Sequence, residues 1–343
     1  MLRTSIILFI QNNPNCSSKE IFEGIGLDVG YATVKRAITD LLIDKSIIKN
    51  GNGKSTKYTI SPSYQIFAPI DPVEYFKNEI DTRVIQSAFN QELISNQLAN
   101  YELFTQKELT HLDHLQATFK KNISNLSKQE YKNEFEKLAI DLSWKSSQIE
   151  GNTYSLLETE RLLIDQVTAD GKTKDEATML LNHKVALDFI LENRNYIEPL
   201  SVSGIEDIHS MLIKELNIGR NIRQRRVSIT GTNYRPLDNE FQIKEALEQM
   251  CNLINSKPNI FEKAFLALIL ISYIQPFADG NKRTGRIICN ALLMYNEYCP
   301  ISFRTVNAMD YKQSLLVFYE QNNISAFKKI FMEQFEFAVK TYF

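Results

Sequence analysis

Apolar residues recur with a helical period along most of this chain, and the exceptions mark its organisation. Ile6, Ile7 and Ile10 share one face of a first predicted helix, and Ser17 and Ser18 stand where a cap opens a second through Ile21 and Phe22. Tyr31 to Ile43 places Val34, Ala37, Ile38, Leu41 and Leu42 on one face of a third. The period then changes. Ile47 to Ile60 reads as two short strands about Asn50-Gly51-Asn52-Gly53, which favours a hairpin turn. Pro62, Pro69 and Pro72 predict a linker over residues 61–72, followed by a polar helical connector to residue 130. From Tyr131 the pattern sharpens: Phe135, Leu138, Ala139 and Leu142 form a stripe continuing to Ser146 and Glu150, and Gly151-Asn152 ends the helix. Helices are expected over residues 175–195 and 203–217, whereas Arg226 to Tyr234 alternates β-branched residues ahead of Gly231-Thr232-Asn233 and predicts a second hairpin. The strongest feature is Ala264 to Tyr295: an apolar helix running into Pro276, a polar loop, then a second apolar-periodic helix. A last helical region extends from Asn307 to Phe343. The expected fold is mainly α, with a small N-terminal domain at 1–62, a linker and connector at 63–130 and a helical domain at 131–343.

The loop between the two apolar helices carries the chemistry. It gathers Asp279, Gly280, Asn281, Lys282, Arg283 and Arg286, so N–H groups at a helix N-terminus and two guanidinium groups can face one anion. Gly280 permits close backbone approach, and Arg283 and Arg286 lie on one helical face. That arrangement suits an oligophosphate, with Asp279 placed to hold an accompanying Mg²⁺.

Composition narrows the remaining classes. A net charge of -2 gives no global attraction to nucleic acid or membrane, so either would need a local patch. The longest apolar run, Ala264 to Ile274, is shorter than the roughly 20 residues a membrane helix needs. Cys16, Cys251, Cys289 and Cys299 show no metal-ligand spacing and are expected to be reduced thiols of a cytoplasmic protein. His111 and His114 lie three apart without a third ligand nearby. Over residues 1–62 basic residues outnumber acidic ones eight to five. Three helices and a hairpin resemble a winged helix-turn-helix, in which Lys35 and Arg36 on the third helix and Lys49, Lys54 and Lys57 on the wing would contact the phosphates of duplex DNA. The same charges would serve a solvated protein-interaction module.

Gln275 to Arg286, QPFADGNKRTGR, closely resembles the Fic-family signature: His-Pro-Phe, any residue, Asp or Glu, Gly-Asn, Gly or Lys, Arg, two residues, Arg. Every fixed position matches except the first, where Gln275 replaces the family's catalytic histidine. Ser146 to Gly151, SSQIEG, is similar to the family's inhibitory motif, which implies that Glu150, with Ser146 and Gly151, lies on a helix over residues 135–152 and pairs with Arg286. The resemblance also implies an active-site flap at Val227 to Pro236, with Val227, Ile229, Gly231, Thr232 and Tyr234 candidates for contact with an extended target peptide. The implied activity is AMP transfer from ATP, with Mg²⁺, to a Ser, Thr or Tyr hydroxyl of a target protein, with Asn281 stabilising developing charge and Gly280, Asn281, Lys282, Arg283 and Arg286 holding phosphates. Asn307 and Tyr311 are candidates to approach the adenine. Gln275 cannot take the hydroxyl's proton at neutral pH, so the expected enzyme is an impaired one. A catalytically silent, nucleotide-binding transcriptional regulator stays open beside it, as do Doc-like phosphoryl transfer, suggested by Lys282, and hydrolytic removal of AMP. A homodimer is also open.

Overall fold

The computed structural model describes residues 1–343 apart from the side chain of Lys54, so the DNA contact expected of Lys54 lies outside the described residues. Helix α1 (Leu2–Asn12) buries Ile6 and Ile10. Helix α2 (Ser18–Gly24) opens on a reciprocal cap, in which the Ser17 hydroxyl accepts from the Glu20 N–H at 3.2 Å and the Glu20 carboxylate accepts from the Ser17 N–H at 2.6 Å. Helix α3 (Tyr31–Ile43) turns Val34, Ala37, Ile38 and Leu41 inward. Strands β1 (Ile47–Asn50) and β2 (Lys57–Ile60) pair antiparallel, Ile47 opposite Ile60. Ile6, Ile10, Ile21, Val34, Ile38, Leu41 and Ile47 form a core of their own.

The rest is a helical body. Helices α4 (Pro62–Phe67), α5 (Pro72–Tyr75), α6 (Leu98–Asn100) and α7 (Gln106–Ser124) lead into α8 (Lys128–Ile149). Then come α9 (Leu156–Asp165), α10 (Lys174–Glu192), α11 (Val202–Leu212), α12 (Glu240–Ser256), α13 (Ile260–Ile274), α14 (Asn281–Tyr295), α15 (Ala308–Gln321) and α16 (Ser325–Thr341). Helix α13 is buried from Phe261 to Ile274, and α14 packs closely on it: a Cβ on Gly285 would meet the Leu268 carbonyl oxygen at 3.1 Å. Among the described residues no helix is long and apolar enough to cross a membrane. The four cysteines are buried and free.

Three expectations are corrected. Residues 61–72 are not an open linker: Pro62 and Pro72 occupy first turns, where their missing N–H costs nothing, behind caps from Ser61 and Asp71. Asn323 donates to the Gln65 and Ala68 carbonyls at 2.7 and 2.8 Å and ties this stretch to the body. The polar connector is also part of the body, because Leu93, Ile94, Leu98, Phe104, Leu112, Leu115 and Phe119 enter the same core as α13 and α14. Finally, residues 227–236 form no hairpin; β1 and β2 make the only sheet among the described residues. Val227 and Ile229 are half-buried and Ser228 and Thr230 exposed, so the alternation survives in an extended loop that is not folded on itself.

Candidate active site

The site is built where α13 stops. Gln275 takes a left-handed conformation, φ 52°, and ends the helix. Both ends of its amide are engaged: Nε2 donates to the Ser272 carbonyl at 2.6 Å, and Oε1 accepts from Asn281 Nδ2 at 3.0 Å. Asn281 also accepts from the Phe277 N–H at 2.9 Å and donates to the Phe277 carbonyl at 2.8 Å, so one side chain holds both ends of the turn. Gly280 caps α14 with φ 83°, a conformation L side chains resist, and a Cβ there would meet the His209 ring at 3.3 Å. The first turn of α14 leaves N–H groups without intrahelical acceptors, open toward an anion.

Two residues outside the motif brace this loop, and sequence reasoning gave neither of them that role. Arg223, buried, donates from Nε to the Gln275 carbonyl at 2.6 Å, and its N–H donates to the Pro276 carbonyl at 2.9 Å. His209 stacks on Phe277, ring centroids 3.6 Å apart, and donates from Nε2 to the Asp279 carbonyl at 2.9 Å. Burial pushes the His209 imidazole down to about 4, so it is neutral at pH 7. An arginine near the flap and a histidine upstream carry no spacing signal that links them to residues 275–281.

Arg283 and Arg286 are both buried. Arg283 Nη2 donates to Asp279 at 3.0 Å, while its Nε and Nη1 have no hydrogen-bond partner. Arg286 donates from Nε to the Ser146 hydroxyl at 2.8 Å and from Nη2 to Glu150 at 3.0 Å; its Nη1 is also unpartnered, and the guanidinium lies over the Tyr311 ring at 5.3 Å. Buried donors without acceptors are costly, and their concentration here suits a polyanionic ligand.

Helix α8 ends at Glu150, beside Gly151 with φ 102°. The expected Glu150–Arg286 pair is present, and a second cation joins it: Lys282 Nζ reaches Glu150 Oε2 at 2.9 Å. Burial opposes ionisation of Glu150, but Lys282 and Arg286 outweigh it and hold the carboxyl at about 2.

Other expected site residues fall differently. Tyr234 is buried, stacks on Tyr273 and donates to the Tyr273 carbonyl at 3.0 Å, so it anchors the 227–236 loop and does not face a target. Tyr311 is buried beneath Arg286, and the Asn307 side chain is engaged in capping α15. Asp279 is 58% exposed, with one carboxylate oxygen on Arg283. A single carboxylate beside a phosphate site fits the way Mg²⁺ is held, by one or two carboxylates plus the phosphates. In the N-terminal unit Lys35, Arg36 and Lys49 are exposed, whereas Lys57 pairs with Glu20 at 3.0 Å.

Residues 199–293 match the model of the Fic/DOC family. The chain is 29% identical over 178 residues to a protein adenylyltransferase Fic of Aedes aegypti, covering 49% of this chain and 35% of that protein. It is 30% identical over 159 residues to the Drosophila virilis protein of the same name, covering 45% and 32%. The matched region is thus about a third of the length of these relatives. In fold, the chain resembles Fic-1 (residues 134–508) of Caenorhabditis elegans, with TM-score 0.59 and 21% identity over 69% of this chain and 71% of that one. A Fic-domain signalling protein of Bacteroides thetaiotaomicron gives TM-score 0.58 and 18% identity over 67% and 94%. The segment matched by the family model includes the two buried arginines, and the relatives are Fic proteins: this chain carries a Fic/DOC family domain at residues 199–293.

Proposed function

We propose that the chain binds ATP with Mg²⁺ at residues 275–286 and is built for AMP transfer to a protein hydroxyl, a chemistry impaired by Gln275 and held off by Glu150. The observation that carries this reading is the buried Arg283 and Arg286 pair with unpartnered donors at the N-terminus of α14. Arg283 and Arg286 would grip the β- and γ-phosphates, Asp279 would hold Mg²⁺, which would neutralise charge on the phosphates, and the α14 N–H groups, that of Asn281 among them, would face the developing charge; the Asn281 side chain, spent inside the turn, shapes the loop and does not itself meet that charge. The acceptor hydroxyl forms a bond to the α-phosphorus as the bond to the bridging oxygen breaks and pyrophosphate leaves. The hydroxyl proton needs an acceptor, and a glutamine amide is not one. Losing a general base costs about 10² to 10⁴ in rate while positioning persists. The 227–236 loop would take the target as an extended peptide.

A second reading, a nucleotide-binding regulator without catalysis, is favoured by the Gln275 amide, one end of which is bonded to the last turn of α13 and the other to Asn281. In that reading the exposed Lys35, Arg36 and Lys49 would meet duplex DNA. Lys282, which prompted the phosphoryl-transfer alternative, is engaged by Glu150. The engagement of Glu150 by two cations likewise leaves it poorly placed to orient water for AMP removal.

Calorimetric titration with ATP·Mg²⁺ of the parent and Arg283→Met tests the nucleotide site. Because two Arg283 donors lack partners, the variant is expected to melt no lower than the parent yet bind ATP at least about tenfold more weakly. Equal affinity would refute the phosphate-grip assignment.

A further inference from the structure

The loop at 227–236 is held from a direction that the family match at residues 199–293 does not cover. Arg83 lies far upstream, its side chain only 4% exposed, and donates from Nη2 to the Gly231 carbonyl at 2.8 Å, at the tip of the loop. Its countercharge is Glu320, fully buried at 3.4 Å, whose other oxygen accepts from the Tyr75 hydroxyl at 2.7 Å. The guanidinium lies over the Phe76 ring at 4.7 Å, so its plane is fixed on one side by an aromatic face. Residues after Arg83 continue along the same loop: the Arg235 N–H donates to the Ser87 carbonyl at 2.8 Å, and Ala88 and Arg235 form an isolated parallel bridge. Gln86 is tied in turn to the Glu320 carbonyl at 2.9 Å.

One edge of the loop is therefore occupied by a strap, residues 83–88. Among the described residues, no backbone hydrogen bond engages residues 227–230, which leaves that stretch free for an incoming strand. The strap also faces the N-terminal unit. Arg83 and Glu320 line a cleft of about 1030 Å³ together with Ile7 of α1, Leu41 of α3, Tyr64 and Ile70.

We infer that Arg83 is a positioning residue for target docking: by donating to the Gly231 carbonyl while its charge is held by the Glu320 carboxylate, it sets the shape of the 227–236 loop. This rests on the reading of the loop as the target-peptide site. A charge-assisted bond from a buried guanidinium tethers the loop tip, and the Arg235–Ser87 bond of the strap holds the loop a few residues further on.

The test is amide hydrogen exchange on the full chain, reading Tyr234 and Arg235 in the loop and the α13 amides as a control for the whole fold. Arg83→Met alone leaves the Glu320 carboxylate buried without its cation, so Arg83→Met/Glu320→Gln accompanies it. Loop exchange is expected to quicken at least about tenfold in both, with α13 unchanged and ATP affinity within about twofold of the parent. Arg83→Lys, which keeps the charge and one donor toward Gly231, is expected to restore most of the protection. Unchanged loop exchange in a folded double variant, an acceleration shared equally by α13, or no rescue by lysine would overturn the assignment. Exchange is read without nucleotide, so a chain that binds no ATP would sink the nucleotide reading and leave this result standing.

Discussion

Replacing Glu150 with glutamine removes one charge and frees two cations, and the structure gives the size of the effect. The Glu150 carboxyl is held at about 2 against an ordinary value of 4.5. At about 1.4 kcal/mol per unit, the attraction of Lys282 and Arg286 exceeds the burial penalty and leaves the carboxylate stabilised by about 3 kcal/mol net. The side chain is only 15% exposed, so little of this is screened by water. An ATP phosphate that takes Arg286 has to displace that pair. In Glu150→Gln the displacement disappears, and ATP·Mg²⁺ affinity is expected to rise by about 10- to 100-fold. The free variant should also melt lower, because removing one partner leaves the buried Arg286 uncompensated, and ATP should restore its stability by mass action. Because the folded pKa is depressed, the pair's contribution to stability is complete above about pH 4.5 and lost as pH falls toward 2. Calorimetry for affinity and thermal melts with and without ATP check both halves. Equal affinity in parent and variant would show that Glu150 does not compete with nucleotide.

Two further outcomes are expected. Fluorescence anisotropy with duplex DNA should show binding that falls steeply with salt and weakens when Lys35 and Arg36 are replaced together; no binding at low ionic strength would assign residues 1–62 to protein contacts. His209 has its pKa depressed by burial to about 4 against 6.5, so the unfolded chain binds its proton first and stability falls as pH drops from 6.5 to 4, by up to about 3 kcal/mol. Melting curves for the parent and His209→Gln across that range check this, since the variant should lose that part of the slope.

Much of the architecture was legible because local chemistry and tertiary packing agree. Helix α3 has the bounds read from its apolar face, the hairpin of β1 and β2 is present though its connection is the longer 51–56, and Glu150 ends α8 beside a glycine that tolerates positive φ. The failures share a cause. Pro62 and Pro72 break structure when read alone, but behind Ser61 and Asp71 they begin helices. The connector looked polar because its apolar residues are sparse, yet Leu93, Phe104 and Phe119 are buried in the main core. The β-branched run at 227–230 carries a strand's alternation, but part of the loop's inner edge is met by residues 83–88, a partner that no local pattern announces. In the site, motif residues could be found from their spacing. Arg223, His209 and the Lys282–Glu150 pair reach across the fold, and only tertiary geometry reveals them.

The most direct test of the account is transfer of label from α-labelled ATP to protein, in the chain itself and in a lysate, for the parent, Gln275→His, Glu150→Gly and the double variant. The account predicts little transfer from the parent or Glu150→Gly, slow transfer from Gln275→His, and a rate in the double variant well above either single change, because base and phosphate grip act on one transition state. A double variant that binds ATP yet transfers no AMP would contradict it.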